Sequence, residues 1–170
     1  MIALRRASAD DVDWLVQLYG SGDVEPFLSG HGSRDRASIL ADVERSQTEP
    51  AVFGRMLIEA DGERAGALGY GEVSAPHRIA RLEALAVHPA FRRRRLADDA
   101  ARLVQRYLVS ELGYHRIELA CYGFNDRAIA HAERAGFVRE GVKRKAYLRH
   151  GEWQDAVLFS LLAEELADAD

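Results

Sequence analysis

The stretch 82-LEALAVHPAFRRRRLADDAARLV-104 decides the fold, because it joins two kinds of element through a turn of four consecutive arginines. Its first part is an apolar run typical of a strand, which ends at the turn containing Pro89. From Leu96 onward apolar residues recur at helical spacing, and this periodicity predicts a helix to about Ser110. The sequence therefore predicts a strand, a turn and a helix, with the arginines at the N-terminus of the helix.

Arg92 to Arg95 occupy an unfavourable place for cations, because the macrodipole makes the N-terminus of a helix positive. A bound anion would remove this conflict, since free backbone N–H groups and guanidinium groups would face the same negative charge. A pyrophosphate is a natural candidate for that anion. A solvated basic turn and a nucleic-acid patch are alternatives that composition leaves open.

Strand and helix patterns alternate along the rest of the chain. Ser8 and Asp11 form a capping box at the first helix, and Ser33 is the expected cap of the second. Asp61-Gly62 is the turn chemistry of a tight hairpin. The order implies one mixed sheet with helices on its faces. The predicted elements of the first half are a strand at 2–7, helices at 8–20 and 33–46, and strands at 51–60, 63–73 and 78–87. The helix after the arginines is followed by a strand at 115–122, a helix at 125–135 ended by Gly136, and a strand hairpin at 137–162. In the strand at 115–122, alternation predicts that Ile117, Leu119 and Cys121 point inward.

Composition places the chain among single-domain proteins of reducing compartments. Its 170 residues, 48% of them hydrophobic, suit one globular domain over 1–170. The net charge of −4 argues against a general nucleic-acid binder. With no apolar run of about 20 residues and no signal-peptide pattern, we expect a cytoplasmic protein without a membrane partner. Cys121 is the single cysteine and the six histidines are scattered, so no disulfide and no metal site is expected.

Several motifs resemble a known family. The strand, Pro turn and arginine loop of 82–104 are similar to the acetyl-CoA-binding segment of the GNAT superfamily of N-acetyltransferases, where an Arg/Gln-x-x-Gly-x-Gly/Ala loop leads into a helix. The opening 4–15 also fits, so the resemblance covers nearly the whole chain. The branch related to ribosomal-protein N-terminal acetyltransferases is most similar, through Asn-x-x-Ala/Ser at 125–128, Gly-Phe-x-x-Glu-Gly at 136–141 and Gly-x-x-x-Asp at 151–155.

The resemblance implies an α+β GNAT fold, with a mixed, mostly antiparallel central sheet of about seven strands flanked by about four helices. It implies acetyl-CoA as the acyl-donor cosubstrate and direct transfer to a primary amine of a small molecule or peptide N-terminus, without a covalent enzyme intermediate. A homodimer is compatible with it. The cofactor-binding positions carried over are Leu85, Ala86, Val87, Arg92, Arg93, Arg94, Arg95, Leu96, Ala97, Asn125 and Ala128.

The arginine loop departs from the family pattern at Arg93 and Arg95, which stand where glycine is common. Glycine lets the backbone come close to a phosphate without a Cβ in the way. Arg95 could crowd that approach, or its guanidinium could replace lost N–H contacts. Because helical φ/ψ values are open to any residue, we expect an altered but intact site.

Glu83 is the candidate general base, because it is the lone carboxylate in an apolar strand that leads toward the loop. Strand alternation places Glu83, Leu85 and Val87 on one face, and an exposed strand-end glutamate is the alternative. In similar enzymes a carboxylate near this position takes the amine proton, and a strand N–H steadies the negative charge that develops on the carbonyl oxygen.

The proton donor for the departing thiolate is less defined, because Ala132 stands where many family members carry a tyrosine. Tyr122 and Tyr147 are candidates, each with a packing role as its alternative, and His131 is a weaker one because it lies about 100° around the helix from Ala132. Asn125 could serve as a helix cap, as a cofactor contact, or as both.

Segment 21–33 walls the acceptor site in proteins of this type, and its Asp23 and Glu25 could hold an ammonium group.

The resemblance as a whole predicts that the protein is an acetyl-CoA-dependent N-acetyltransferase. Its rivals are a coenzyme-A-binding relative without catalysis, an enzyme that uses another acyl-CoA, and a basic-loop nucleic-acid module.

Overall fold

Strands and helices follow the predicted order in the computed structural model, which describes residues 1–29 and 34–167 and, for residue 167, the backbone alone. The described residues form seven strands and five α-helices, one helix more than expected because a short helix follows the last strand. The strands are β1 (Ile2–Arg6), β2 (Phe53–Ala60), β3 (Glu63–Ser74), β4 (Ile79–Val87), β5 (Arg116–Tyr122), β6 (Val138–Arg149) and β7 (Glu152–Leu162), and the helices are α1 (Val12–Gly20), α2 (Arg36–Thr48), α3 (Leu96–Arg106), α4 (Asp126–Arg134) and α5 (Ala163–Ala167).

One sheet contains all seven strands in the order β1-β2-β3-β4-β5-β7-β6. Only the pairing of β4 with β5 is parallel, so the predicted mixed and mostly antiparallel sheet is confirmed. The hairpin between β2 and β3 turns at Asp61 and Gly62, whose φ values of 53° and 84° are those a tight hairpin turn requires. His150 and Gly151 join β6 to β7 with the same combination, 47° and 80°.

Side-chain caps set the starts of the first two helices. The Ser8 N–H donates to the Asp11 carboxylate at 2.9 Å, which confirms the capping box, and a 3₁₀ turn there leads into α1. The cap expected at Ser33 lies outside the described residues. Helix α2 instead begins at Arg36, because the Asp35 carboxylate accepts from the Ser38 N–H at 2.8 Å and satisfies the first turn.

The sheet has a hydrophobic core on each face. Leu57 and Ile58, consecutive in β2, are both fully buried because strand alternation turns them to opposite faces. Ile58 packs with α3 and α4, and Leu57 packs with α1 and α2. The predicted inward set of β5 is also confirmed, since Ile117, Leu119 and Cys121 all contact the α3 and α4 core.

Helix α3 ends at Arg106, and a π-helical turn over 107–111 continues it, so the apolar pattern extends past the regular α-helix to about the predicted end. Its buried Gln105 donates to the Ala135 carbonyl oxygen at 2.9 Å and thereby ties α3 to the end of α4. This tether fixes the two helices that flank one side of the candidate site.

Candidate active site

A gap in the middle of the sheet forms the candidate site. β4 and β5 pair over three residues each, from Ile79 with Arg116 to Arg81 with Glu118, and then part. A cavity of about 1480 Å³, termed here the central cavity, lies where they diverge. Backbone N–H and C=O groups on this edge of β4 therefore face the cavity instead of a neighbouring strand. Three predicted cofactor-binding residues lie on that part of β4 and line the cavity: Leu85, Ala86 and Val87.

A bulge interrupts β4 beside the gap. Gly69 of β3 pairs with Glu83, but Ala67 pairs with Ala86, so two residues of β4 stand opposite one residue of β3. Ala84 has a left-handed φ of 54° at this point. The bulge therefore shifts the side-chain alternation of β4 by one residue.

This shift makes the prediction that Glu83, Leu85 and Val87 share one face wrong. Leu85 packs into the core on the α3 side, and Val87 packs beside the buried Leu96 of α3. Glu83 turns to the opposite face, where its carboxylate lies 2.8 Å from the Arg55 guanidinium. It still lines the central cavity and is one-third exposed, so a proton acceptor is available there.

The arginine loop has left-handed backbone at the two positions where the family favours glycine. Arg93 has φ of 66° and Arg95, the N-cap residue of α3, has φ of 56°. The expectation of helical φ/ψ at these positions is therefore wrong, and each residue carries a steric cost of about 1–2 kcal/mol. Alternating signs of φ turn successive N–H groups toward one side and create an anion-binding concavity. Arg93 and Arg95 thus adopt a backbone conformation that glycine reaches without this cost.

The four arginines have different surroundings. Arg92, Arg93 and Arg95 line the central cavity, as do Leu96 and Ala97 at the start of α3. The Arg94 guanidinium instead lies 5.4 Å from the ring centre of Phe91, and Arg94 is not among the lining residues of the described chain.

Arg92 is held by neighbouring groups that the sequence did not link to it. Its guanidinium donates to the Val87 carbonyl oxygen at 3.3 Å and to the Asp23 carbonyl oxygen at 3.0 Å. It also lies 3.4 Å from the Asp23 carboxylate. Arg92 therefore connects β4 to the segment after α1.

The lining of the central cavity is basic overall. Among the described residues it holds nine arginine or lysine side chains against six carboxylates, although the whole chain carries a net charge of −4. An excess of positive charge around a cleft raises the local concentration of anionic ligands. The cavity is therefore suited to a polyanion.

Helix α4 presents its N-terminus to the cavity. The buried Asn125 caps it, accepting from the Ala128 N–H at 3.2 Å, and both residues line the cavity. The cap role considered for Asn125 is therefore present, and its place on the cavity wall leaves the predicted cofactor contact open to it.

His131 of α4 also lines the cavity and contacts Asp98 of α3, with Nδ1 2.8 Å from the carboxylate. Arg134 approaches the same carboxylate at 3.4 Å. Burial would raise the pKa of Asp98, but the hydrogen bonds from His131 and Arg134 outweigh it and hold this pKa below its ordinary value.

The family's tyrosine position and the two candidate tyrosines lie in different settings. Ala132, at the family's tyrosine position, is 1% exposed and belongs to the core. Tyr122 is buried and stacks on Phe124 at 5.0 Å between ring centres, which favours a packing role. Tyr147 lines the cavity, and burial raises its pKa. Tyr147 and His131 are therefore the candidates that reach the cavity.

The acceptor segment is described as far as Ser29. Asp23 lines the cavity beside Arg92, whereas Glu25 pairs with Arg149 at 3.0 Å and is not among the lining residues that the structure describes. The two carboxylates predicted to hold an ammonium group are thus separated and already paired with arginines.

Arg55 is a site residue that the sequence reasoning missed. It is the one charged side chain between Phe53 and Ile58, in a strand whose other residues there are apolar or glycine. A lone cation that is buried in such a run needs a carboxylate partner, and this is the signal that could have identified it.

Residues 1–29 and 34–167 contain no group of three or more His, Cys, Asp or Glu side chains placed to hold a metal ion. Over the same ranges, none of the helices has the length and apolar character needed to cross a membrane.

Comparison with known proteins places these features in context. The profile of the Acetyltransferase (GNAT) family matches residues 19–137. Spermidine N(1)-acetyltransferase of Escherichia coli is 28% identical over 162 residues, which cover 92% of this chain and 83% of that protein. An uncharacterized N-acetyltransferase of Bacillus subtilis derived from the SPbeta prophage is 32% identical over 48% of this chain and 46% of its own length. These relatives do not single out the ribosomal-protein branch.

A solved structure shares the fold. Spermidine N-acetyltransferase from Vibrio cholerae, crystallised with CoA and spermine, superimposes with a TM-score of 0.84 at 21% identity and covers 98% of both chains. The predicted fold class is therefore confirmed.

Proposed function

The chain belongs to the GNAT family of acetyltransferases and is an N-acetyltransferase with acetyl-CoA as its cosubstrate; from this premise we propose that it acetylates a primary amine of a polyamine-like acceptor, with Glu83 as the general base. The observation that carries the proposal is the Glu83 carboxylate on the wall of the central cavity, where β4 and β5 part. We further propose that residues 1–170 act as a single domain.

The residues present fit acetyl-CoA, whose thioester would supply the acetyl group when it is bound. Free N–H groups at the start of α3, together with Arg93 and Arg95, would hold its phosphates. The edge of β4 at Leu85–Val87, which β5 does not pair with, would bind the amide groups of its pantetheine arm, as an added strand would. Asn125 and Ala128 line the opposite wall of the cavity.

Glu83 would take the proton from the attacking amine, because an ammonium ion has no lone pair for attack on the thioester. Backbone N–H groups near the bulge would stabilise the negative charge that develops on the carbonyl oxygen. Tyr147 or His131 would return a proton to the departing thiolate.

Direct transfer is supported by the state of Cys121. This single cysteine lines the cavity, but burial raises its pKa to about 11, so it is a neutral thiol near pH 7 and a poor nucleophile. Covalent catalysis through a cysteine is therefore disfavoured.

A polyamine-like acceptor is supported by the named activity of the E. coli relative and by carboxylates on the face of the sheet away from α3. Glu83 and Glu118 line the cavity on that face, and Asp23 closes it from the segment after α1. Each carboxylate has an arginine partner, so an acceptor ammonium would compete with that arginine.

A turnover screen with acetyl-CoA tests the proposal, with polyamines, aminoglycosides, amino acids and short peptides as acceptors. The highest kcat/KM is expected for a polyamine. Turnover confined to peptides would refute the acceptor class. Coenzyme A binding without turnover of any amine would point to a relative that has lost catalysis, and absence of coenzyme A binding would overturn the proposal as a whole.

A further inference from the structure

Three residues on adjacent strands align across the sheet toward the cavity. Arg55 of β2 is the register partner of Gly69 of β3, and Gly69 is the register partner of Glu83 of β4. The outer two strands are therefore separated by twice the spacing of neighbouring strands, about 9–10 Å. The Arg55 side chain spans this distance, and its Nη1 lies 2.8 Å from the Glu83 carboxylate.

Gly69 leaves the space through which Arg55 passes. A Cβ at this position would lie 2.3 Å from Arg55 Nη1, a separation that atoms do not tolerate. The backbone of Gly69 does not need glycine, because its φ is not in the left-handed region. Steric room for the guanidinium is therefore the reason that the structure gives for a glycine here.

Arg55 is itself fixed on the side away from Glu83. Its Nε and Nη2 donate to the Asp42 carboxylate of α2 at 3.1 and 2.8 Å, and its guanidinium lies 4.4 Å from the ring centre of Phe53. The side chain is 16% exposed. A planar guanidinium held at several points has little freedom left, so it can in turn fix the carboxylate that it binds.

Tyr19 of α1 covers the cluster from the helical side. It is buried, and burial raises its pKa to about 12, although the charges of Arg55 and Arg34 act in the opposite direction. Arg34 lies over the Tyr19 ring at 5.6 Å. The phenol is therefore neutral at working pH and adds no charge to the cluster.

We propose that Arg55 is a positioning residue, which holds the Glu83 carboxylate at the cavity wall through the gap that Gly69 leaves. This inference rests on the proposed function, in which Glu83 is the base. A general base must lie within hydrogen-bond reach of the proton that it takes, and a displacement of about 1 Å can cost on the order of 10²-fold in rate. Arg55 supplies this restraint from two strands away.

Gly69→Ala is the sharpest test, because it displaces the guanidinium without deleting it. The closest atom that its Cβ would meet is the end of the Arg55 side chain, and the Gly54 carbonyl oxygen lies 3.3 Å away, so the guanidinium must give up its present contacts while the strands need to shift only slightly. We expect kcat to fall by roughly 10- to 100-fold, while the KM for acetyl-CoA and the coenzyme A affinity stay within about two-fold of wild type. Arg55→Gln should likewise lower kcat and leave the KM for acetyl-CoA nearly unchanged.

Arg45→Gln is the matched control. Arg45 stacks on the Phe53 ring at 4.3 Å, the same ring that Arg55 contacts, but it pairs with Glu49 and not with Glu83. The kcat of the Arg45→Gln variant should remain within about two-fold of wild type. Unfolding by urea, run on every variant, identifies any loss of kcat that comes from loss of folded protein.

The Glu83→Gln background separates this inference from the one on which it rests. In that background Gly69→Ala should have no further effect on kcat, because the positioned group is already absent. If Glu83→Gln abolishes turnover and folded Gly69→Ala and Arg55→Gln keep full kcat, Arg55 has no positioning role and the base assignment stands. If Glu83→Gln itself keeps full kcat, Glu83 is not the general base, and the positioning role of Arg55 falls with that assignment.

Discussion

At the scale of single residues, Glu83 combines exposure to the cavity with a fixed orientation. The bulge at Ala84 turns its carboxylate away from the α3 side, and Arg55 holds it there at 2.8 Å. A carboxylate placed in this way can accept a proton from a group in the cavity without taking part in cofactor binding at the arginine loop.

Replacing Glu83 by Gln should therefore lower kcat by roughly 10²-fold or more at pH 7, since an amide of the same shape cannot accept the amine proton. Coenzyme A affinity should change little. Steady-state kinetics with calorimetric titration of coenzyme A measures the two effects separately. Glu118→Gln, at another carboxylate lining the cavity, is the control, and a larger loss in that variant would transfer the base role to Glu118.

The local sequence identified Glu83 as a base candidate but gave its face incorrectly. Strand alternation assumes a constant period of two, and one left-handed residue at Ala84 breaks that period. Nothing in the run from Leu82 to Val87 marks alanine as a bulge residue, because alanine normally avoids positive φ. The partnership with Arg55 was also invisible, since it depends on strand register across Gly69.

At the scale of elements, the loop from Arg92 to Arg95 combines strain with charge. Arg93 and Arg95 adopt the backbone that glycine would adopt, so the loop shape survives at a steric cost of about 1–2 kcal/mol for each residue. A bound anion would offset part of that cost through the same arginines.

Arg95→Gly should raise the free energy of unfolding by roughly 0.5–1 kcal/mol, because relief of the left-handed strain exceeds the entropy gained by the unfolded chain. Coenzyme A binding should weaken and become less sensitive to salt, because the backbone already has the glycine conformation and only a cation is lost. Urea unfolding and calorimetric titration at two salt concentrations measure these changes. Tighter binding by the variant would show that the side chain crowds the site.

Arg94→Gly is the control for that experiment. Arg94 lies in the same loop, has no positive φ and contacts Phe91 instead of lining the cavity. Removing it deletes one charge without relieving strain, so stability should fall or stay constant. A gain equal to that of Arg95→Gly would contradict the strain argument.

At the scale of the whole molecule, the N-terminal strand is tied to α1 and β3 through one buried carboxylate. Asp11 is fully buried and accepts from Arg5 at 2.6 and 2.9 Å and from Arg64 at 2.8 Å. The hydrogen bond from Arg5 is the main cause that holds the pKa of Asp11 well below its ordinary value, against the effect of burial.

Stability should therefore fall in acid. A carboxyl whose pKa is depressed by folding stabilises the native state above its unfolded pKa of about 4, and this contribution disappears as the pH falls further toward the folded value. Asp11→Asn should lower the free energy of unfolding at pH 7 by about 2–4 kcal/mol and flatten its decline below pH 5. Urea unfolding across a pH series measures both. Asp13→Asn, at an exposed pair with Arg36, should change neither by more than about 0.5 kcal/mol.

The overall architecture could be predicted because several local signals agree with one another and with the family's motifs. The capping box at Ser8, the Asp61-Gly62 turn and the helical period after Leu96 each fix one element independently of the others. Long-range ion pairs such as Arg92 with Asp23 have no comparable local signal, since opposite charges are present all along the chain. The carboxylates proposed for the acceptor site belong to such pairs, so their partners were the part least accessible from the sequence.

The parting of β4 and β5 gives the molecule a mechanical property as well as a binding site. Three residue pairs join these strands. Within the sheet, this short paired segment connects two groups of strands, β1–β4 and β5–β7, which are termed here the two leaves. A cosubstrate arm bound along β4 where it leaves β5, as proposed above, would add contacts between the two leaves and restrain them against each other. Amide hydrogen exchange in both leaves should then slow when the cosubstrate binds and recover when the product departs. Under the proposed function, the sheet would then become stiffer and softer once in every catalytic cycle.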